Sequence, residues 1–205
     1  AAGEGTGKFA VGDAVCGVVS SCGYGGFAEY VAVPESVLIR KPVSVTFEEA
    51  AAVPLAAITA LGALRKGDAR PGQTVLICGA GGGVGTFAVQ LAKHFGAEVT
   101  AVCSERTSSV ASSLGADHVI DYARTDFTRA GKRYDLVLAV NGNYPLSACR
   151  RLLVPGGVCV VVGGTLSQLV KFMLFRAFVS SGGKTVHVFA DSESTDDVGY
   201  VMRLV

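Results

Sequence analysis

The sequence predicts an α/β fold, a doubly wound parallel sheet preceded by a short β-rich segment. Three observations carry that prediction. From residue 71 onward, short continuous apolar runs alternate with stretches of helical periodicity, the pattern of a parallel sheet covered on both faces. A glycine-rich loop, residues 79–85, stands between one such run and a helix. Half of the 205 residues are apolar and only 17% are charged, a balance that builds a core and excludes a disordered chain.

Residues 1–46 read as short strands and turns. Val15 to Val19, Phe27 to Val33 and Val37 to Ile39 are β-rich, with Gly12-Asp13, Gly23 to Gly26 and Pro34 between them. Helix begins near Thr46. Thr46 and Glu49, three residues apart, form a capping box signature, and Glu48 adds negative charge to the first turn. The helix runs through alanines to Leu64, with a kink expected at Pro54 and a stop at Gly67.

The alternating part follows. Thr74 to Cys78 is a strand. Val84 to Phe95 carries apolar residues at Val84, Ala88, Leu91, Ala92 and Phe95, a helical spacing closed by Gly96. Glu98 to Cys103 is the second strand, Arg106 to Leu114 a helix ended by Gly115, and Val119-Ile120 a brief third strand. Asp135 to Val140, Val158 to Val162 and Val186 to Phe189 complete the sheet, with a helix from Pro145 to Leu153. Ligands of such a sheet bind beyond the carboxyl ends of its strands.

Composition excludes several functions. Lys plus Arg is 18, Asp plus Glu is 17, and the net charge is +1. No basic stripe offers a footprint for nucleic acid. The longest apolar stretches, Ala50 to Leu64 and Leu166 to Val179, hold Pro54 in the first and Lys171 and Arg176 in the second, so no membrane span is expected. The six cysteines, Cys16, Cys22, Cys78, Cys103, Cys149 and Cys159, include no CxxC pair. That usage fits a reduced, cytoplasmic protein rather than a disulfide framework or zinc finger. The sequence lacks an initiator Met and a signal-like start, and both ends read as cut, which leaves organelle targeting open.

The loop Gly79-Ala-Gly-Gly-Gly-Val-Gly85 has strand before it, helix after it and a second strand following, the context of a dinucleotide-binding Rossmann domain. Ala80 replaces the first glycine of the usual G-x-G-x-x-G. Gly82 lets backbone approach a pyrophosphate, Gly85 lets the helix pack on the sheet, and the amides opening the helix at Val84 face the phosphates. The residue nineteen after Gly85 is Ser104, followed by Glu105 and Arg106. Ser104 and Arg106 can hold a 2′-phosphate, unless Ser104 merely caps the next helix and Arg106 is solvated. Glu105 argues for NADH if it points inward.

The ordered series Gly12-Asp13, Gly26-Phe-Ala-Glu-Tyr-Val31, Ala50-Ala-Ala-Val-Pro54, Thr59-Ala-Leu61, Val75-Leu-Ile77, Gly82-Gly-Val-Gly85, Ala88 to Lys93, Leu114-Gly-Ala-Asp117, Val119-Ile-Asp-Tyr122 and Pro155-Gly-Gly157 resembles the medium-chain dehydrogenase/reductase superfamily. It is most similar to the zinc-independent quinone oxidoreductase-like branch. The resemblance implies a partial GroES-like catalytic domain at residues 1–46, a Rossmann domain at 47–190 and the start of a C-terminal return helix at 191–205. It implies that the front of the catalytic domain, one wall of the cofactor cleft, is missing, and hence poor turnover by this chain alone.

Carried over by position, the resemblance places Thr59 near the nicotinamide and Gly82, Gly83, Val84 and Gly85 on the pyrophosphate. Ser104, Arg106 and Tyr122 would surround the 2′-phosphate, and Asn141, Gly163 and Gly164 would line the nicotinamide side. Tyr122 has a plainer reading as a strand-end aromatic, and Asn141 as a turn residue. The three histidines, His94, His118 and His187, read as surface or packing residues. The expected activity is hydride transfer from NADPH, with NADH as a second possibility, to a quinone or an activated carbon–carbon double bond of an enone or alkenal. No catalytic acid is named. The rivals are a zinc-dependent alcohol dehydrogenase and a non-catalytic cofactor-binding sensor or structural subunit. Only Cys16 and Cys22 lie between Asp13 and Phe27, too few for a closed structural site, and Ala50 to Thr59 holds no Cys, His, Asp or Glu, so no zinc is expected. The strand at 186–189 is expected to pair with its copy in a homodimer.

Overall fold

Strands β3 (Thr74–Cys78), β4 (Glu98–Cys103), β5 (His118–Asp121), β6 (Tyr134–Val140), β7 (Leu153–Val162) and β8 (Thr185–Phe189) form one sheet in the order β5-β4-β3-β6-β7-β8. Every neighbouring pair in it is parallel. The order reverses direction at β3, between β4 and β6, the arrangement that opens a ligand crevice at the carboxyl edge. The protein is described by a computed structural model covering residues 3–140, 145–163, 183–189 and 194–205. The chain divides into two units, one of Ala1–Ile58 with Asp191–Val205 and the other of Thr59–Ala190.

Sequence explains the sheet directly. Val75, Leu76 and Ile77 of β3, Leu136, Val137 and Leu138 of β6, and Cys159 and Val160 of β7 are fully buried. Strands apolar on consecutive residues need cover on both faces, and a parallel sheet supplies it. Helices α3 (Gly83–His94) and α4 (Glu105–Ser113) follow β3 and β4, and α5 (Leu146–Arg151) precedes β7. At the amino edge, Asp135 accepts from both the amide and the hydroxyl of Thr74, at 2.8 and 2.7 Å, which fixes β6 against β3.

In the first unit, β1 (Val15–Gly17) pairs antiparallel with β2 (Leu38–Arg40). Helix α1 (Phe47–Ala52) opens with the expected capping box: Thr46 Oγ1 accepts from the Glu49 amide and the Glu49 carboxylate accepts from the Thr46 amide. Helix α2 (Pro54–Lys66) then begins afresh, so Pro54 starts a helix rather than kinking one, its fixed φ suiting a first turn. Helix α6 (Thr195–Met202) lies beside β2.

Two more expectations are corrected. The β-rich run Phe27 to Val33 forms no strand. Its Phe27 is fully exposed. A strand needs a neighbour for its backbone hydrogen bonds, and among the described residues none pairs with this run. The stop after α2 is made by Asp68, whose φ of 55° is left-handed, and not by Gly67. Gly67 is required for contact instead, because a side chain there would strike Leu136. The apolar stretch Leu166 to Val179 lies outside the described residues.

Candidate functional site

The carboxyl edge of the sheet collects the termini that matter. The β3 strand ends at Cys78 and the chain turns through residues 79–82 into α3. The amides of Gly79 and Ala80 both donate to the Val102 carbonyl near the end of β4, each at 3.0 Å. This anchors the start of the loop to the neighbouring strand. Gly82 is the N-cap residue of α3, and its carbonyl accepts the first helical bond, from Thr86 at 2.9 Å. The amides of Gly83, Val84 and Gly85 therefore open the helix without an acceptor inside it, and they carry the positive end of its dipole.

The glycines divide their labour. A side chain at Gly85 would collide with the Gly79 carbonyl and the Ala80 Cα, so Gly85 permits the tight strand-to-helix turn. At Gly82 a Cβ would meet only the Gly79 oxygen, at 3.6 Å, an ordinary contact. Gly82 and Gly83 are exposed and Val84 half-buried, which leaves a glycine-lined, amide-rich cradle open to an anionic group. The residues present thus fit a dinucleotide pyrophosphate. The glycine not foreseen is Gly81. Its missing side chain makes room for Thr107 of α4.

Beside the cradle, at the end of β4, stands a second group of polar side chains. Ser104 is the N-cap residue of α4, yet its hydroxyl makes no cap bond to the backbone. It lies 3.2 Å from Thr107 Oγ1, and that hydroxyl can donate to the Ser104 carbonyl, also at 3.2 Å. Tyr122 is brought alongside by its amide, which donates to the Cys103 carbonyl at 3.2 Å; its side chain is 55% exposed. Arg106 is exposed and makes no ion pair among the described residues. Glu105 is held by Arg124 at 2.9 Å. Tyr122, more than a dozen residues on in sequence, therefore shares one edge with Ser104 and Arg106. Thr107 and Arg124 were not legible as part of it, since each acts through a contact that only the fold creates.

The remaining predicted residues are dispersed. Thr59 is half-buried in α2. Gly163 ends β7 with a φ of 71°, exposed and with nothing near its Cα face. Asn141 and Gly164 lie outside the described residues. Cys78, next to the loop, is wholly buried, and burial pushes its thiol up, so it packs rather than reacts. No group of three or more metal-ligating side chains occurs among the described residues.

Fold and loop together define a dinucleotide-binding domain of the Rossmann type. The family profile described as zinc-binding dehydrogenase matches residues 83–204. The chain is 39% identical over 156 residues to a chloroplast envelope quinone oxidoreductase homolog of Arabidopsis thaliana, covering 71% of this chain and 47% of the relative. It is 35% identical over 162 residues to a chloroplastic NADPH-dependent alkenal/one oxidoreductase of the same plant, covering 78% and 40%. Among solved structures, the quinone oxidoreductase of Coxiella burnetii superposes with a TM-score of 0.86 at 28% identity, covering 99% of this chain and 63% of that one. The chain belongs to the zinc-binding dehydrogenase family, in the quinone oxidoreductase-like branch of the medium-chain dehydrogenase/reductase superfamily. It spans about half the length of the first of these relatives.

Proposed function

We propose that the protein is an NADPH-dependent oxidoreductase that reduces a quinone or an activated carbon–carbon double bond of an enone or alkenal. The observation that carries this reading is the carboxyl edge of the sheet. An open amide cradle at Gly82–Gly85 stands next to a cluster of Ser104, Arg106 and Tyr122 in which the adjoining carboxylate, Glu105, is paired to Arg124. The names of the relatives supply the two acceptor classes.

The chain's residues would bind and orient. The amides of Gly83, Val84 and Gly85 would hold the pyrophosphate, Ser104, Arg106 and Tyr122 the 2′-phosphate, and Thr59, Asn141, Gly163 and Gly164 the nicotinamide side. The bound cofactor supplies the hydride. No described side chain is assigned as proton donor. The test is NADPH oxidation by the purified protein with added quinone or enone, followed by nicotinamide absorbance. Turnover with either acceptor supports the reading; since this chain alone is expected to turn over poorly, cofactor binding without turnover favours a sensor or structural subunit only when the protein tested also carries the front of the catalytic domain.

Three further parts belong to this proposal. The enzyme works without zinc: Cys16 lies in β1, where burial pushes its thiol up, and Cys22 ends a single 3-10 turn, which is too few thiolates for a closed site. Stoichiometric zinc in protein purified without added metal overturns this. The protein is a homodimer through β8, the last strand of the sheet. Its place is the cytoplasm, argued from cysteine usage. No described helix is long and apolar enough to cross a membrane, and relatives carry chloroplast and mitochondrial names, so fractionation against plastid and mitochondrial markers is the check.

A further inference from the structure

We propose that Arg124 determines the cofactor preference of this protein, and that it does so by holding Glu105 rather than by touching the cofactor. The proposal deepens the NADPH reading above and rests on it. Glu105 follows Ser104 directly and opens α4. A carboxylate at this end of the second Rossmann strand accepts hydrogen bonds from a ribose 2′-hydroxyl and repels a 2′-phosphate. The sequence therefore carries two opposed signals side by side: an acid suited to NADH and an arginine, Arg106, suited to NADPH.

The structure resolves the conflict with a third residue. Arg124 Nη2 donates to Glu105 Oε1 at 2.9 Å, and its Nε faces Asp121 Oδ2 at 3.5 Å. The turn after β5 is built to aim that side chain at α4. The Arg124 amide donates to the Asp121 carbonyl at 3.2 Å, and Asp121 Oδ1 accepts from the Ala123 amide at 3.0 Å. Asp121 is mostly buried, its side chain 16% exposed, so the turn has a fixed base. One guanidinium thus occupies Glu105, and Arg106 makes no ion pair among the described residues.

The pair itself adds little to folding. Both partners are more than 70% exposed, and ion pairs that open to water contribute next to nothing to stability. Its consequence is electrostatic. With Arg124 in place, the acid's charge is partly countered by a guanidinium it shares with Asp121, and its side chain is turned to the β5 turn. Without it, Glu105 is free to swing one residue's breadth toward the site that Ser104 and Tyr122 border. A lone carboxylate there would face a phosphate close to doubly charged at a separation shorter than the screening length of physiological salt.

The experiment measures dissociation constants for NADPH and NADH, by fluorescence or calorimetry, on wild type, Arg124→Ala, Glu105→Gln and the double variant. Arg124→Ala should weaken NADPH about three- to tenfold while NADH is unchanged or tighter. Glu105→Gln should bind NADPH at least as well as wild type, and adding it to Arg124→Ala should restore NADPH binding to the level of Glu105→Gln alone. The melting temperature should hold in all four proteins. A double variant as weak as Arg124→Ala overturns the proposal and makes Arg124 a direct phosphate ligand. An Arg124→Ala protein with unaltered cofactor ratio overturns it as well. A wild type that binds NADH as tightly as NADPH defeats the broader reading instead, and the change in ratio on removing Arg124, with its reversal by Glu105→Gln, still decides the role of Arg124.

Discussion

The side chain of Thr107 fills the space that any side chain at Gly81 would need. Thr107 is not free to withdraw, because it is half-buried and its hydroxyl lies within 3.2 Å of both the Ser104 hydroxyl and the Ser104 carbonyl. One threonine therefore spaces the phosphate loop from the end of β4, where the ribose would lie. Gly81→Ala should push the loop off α4, costing about 1–3 kcal/mol in stability, the usual range for overpacking. It should weaken NADPH and NADH alike, since the amide cradle moves for both. Thermal melts and the two dissociation constants check this. Thr107→Ala in the same chain should recover part of each loss; a Gly81→Ala protein that binds both cofactors normally refutes the spacer role.

A second expectation concerns acid stability. Lys93 donates to both oxygens of Asp117 at 2.9 and 2.8 Å, and the Val99 amide donates to it at 2.7 Å. The Lys93 ammonium first, and then the Val99 amide, hold the Asp117 carboxyl below the usual aspartate range. A carboxyl whose pKa is depressed by folding contributes stability above its unfolded pKa, and that contribution is lost as pH falls through the folded value. Asp117→Asn should destabilise the protein near neutral pH by roughly 0.5–1 kcal/mol, the low end because the side chain is partly solvated. The deficit should begin to shrink below about pH 4, where the unfolded chain protonates, and close as pH falls through the lower folded value. Denaturant melts at neutral and acid pH give the comparison.

The opposite edge of the sheet supplies a contrast. Asp135 accepts from the Thr74 amide and hydroxyl, and the Asp135 amide lies 3.2 Å from the same hydroxyl. These bonds tie β3 to β6 at their amino ends, away from the glycine loop. Asp135→Ala leaves a partly buried amide and hydroxyl without their acceptor and should cost about 1–3 kcal/mol. Cofactor affinity, measured well below the melting temperature, should stay within twofold of wild type, or about 0.4 kcal/mol. Equal losses of stability and affinity would mean that the two edges are coupled.

The unpaired side of β8 gives a solution test. Thr185–Phe189 pairs with β7 on one side, and no described strand flanks the other. Open edges of this kind are normally covered or paired. Light scattering should return twice the chain mass, and Val188→Pro, at an exposed position of the strand, should return the monomer while circular dichroism stays unchanged. A monomeric wild type counts against the dimer.

Legibility in the sequence followed how local the cause was. Thr74–Cys78 and Glu98–Cys103 could be bounded to the residue, because continuous apolar runs between turn residues admit one reading. The capping box at Thr46 and Glu49 was likewise a matter of three residues. The run Phe27 to Val33 had the composition of a strand and formed none, because composition does not supply a partner. Gly67 reads as a helix stop, yet its use is contact with Leu136, more than sixty residues on, and a sequence cannot show that approach. Ser104 and Arg106 come from the residue count after the glycine loop and Tyr122 from the family resemblance, and all three fall at the ends of the neighbouring strands β4 and β5. Which way Glu105 faces was not legible, because the answer lies in Arg124 on another turn.

The last prediction concerns Arg106 itself. It is the second residue of α4, exposed, and without an ion pair among the described residues, while the neighbouring acid is engaged elsewhere. A guanidinium so placed can turn to a phosphate without first breaking another bond. Ser104 and Tyr122 stand at the same strand ends to add neutral donors. A hydrogen bond to a charged group contributes about 1.5–3 kcal/mol, and each 1.4 kcal/mol or so is about tenfold in affinity. Arg106→Ala should therefore weaken NADPH by about ten- to a hundredfold and leave NADH nearly unchanged, because NADH lacks the group that Arg106 would meet. Arg106→Lys should recover part of the loss, keeping the charge without the fork that pairs two oxygens at once. The salt dependence separates this from a folding defect: the NADPH advantage of wild type should fall as ionic strength rises, and the variant should show a flatter response. Equal or tighter binding of NADH in the wild type would assign the site to Glu105 and overturn the 2′-phosphate reading altogether.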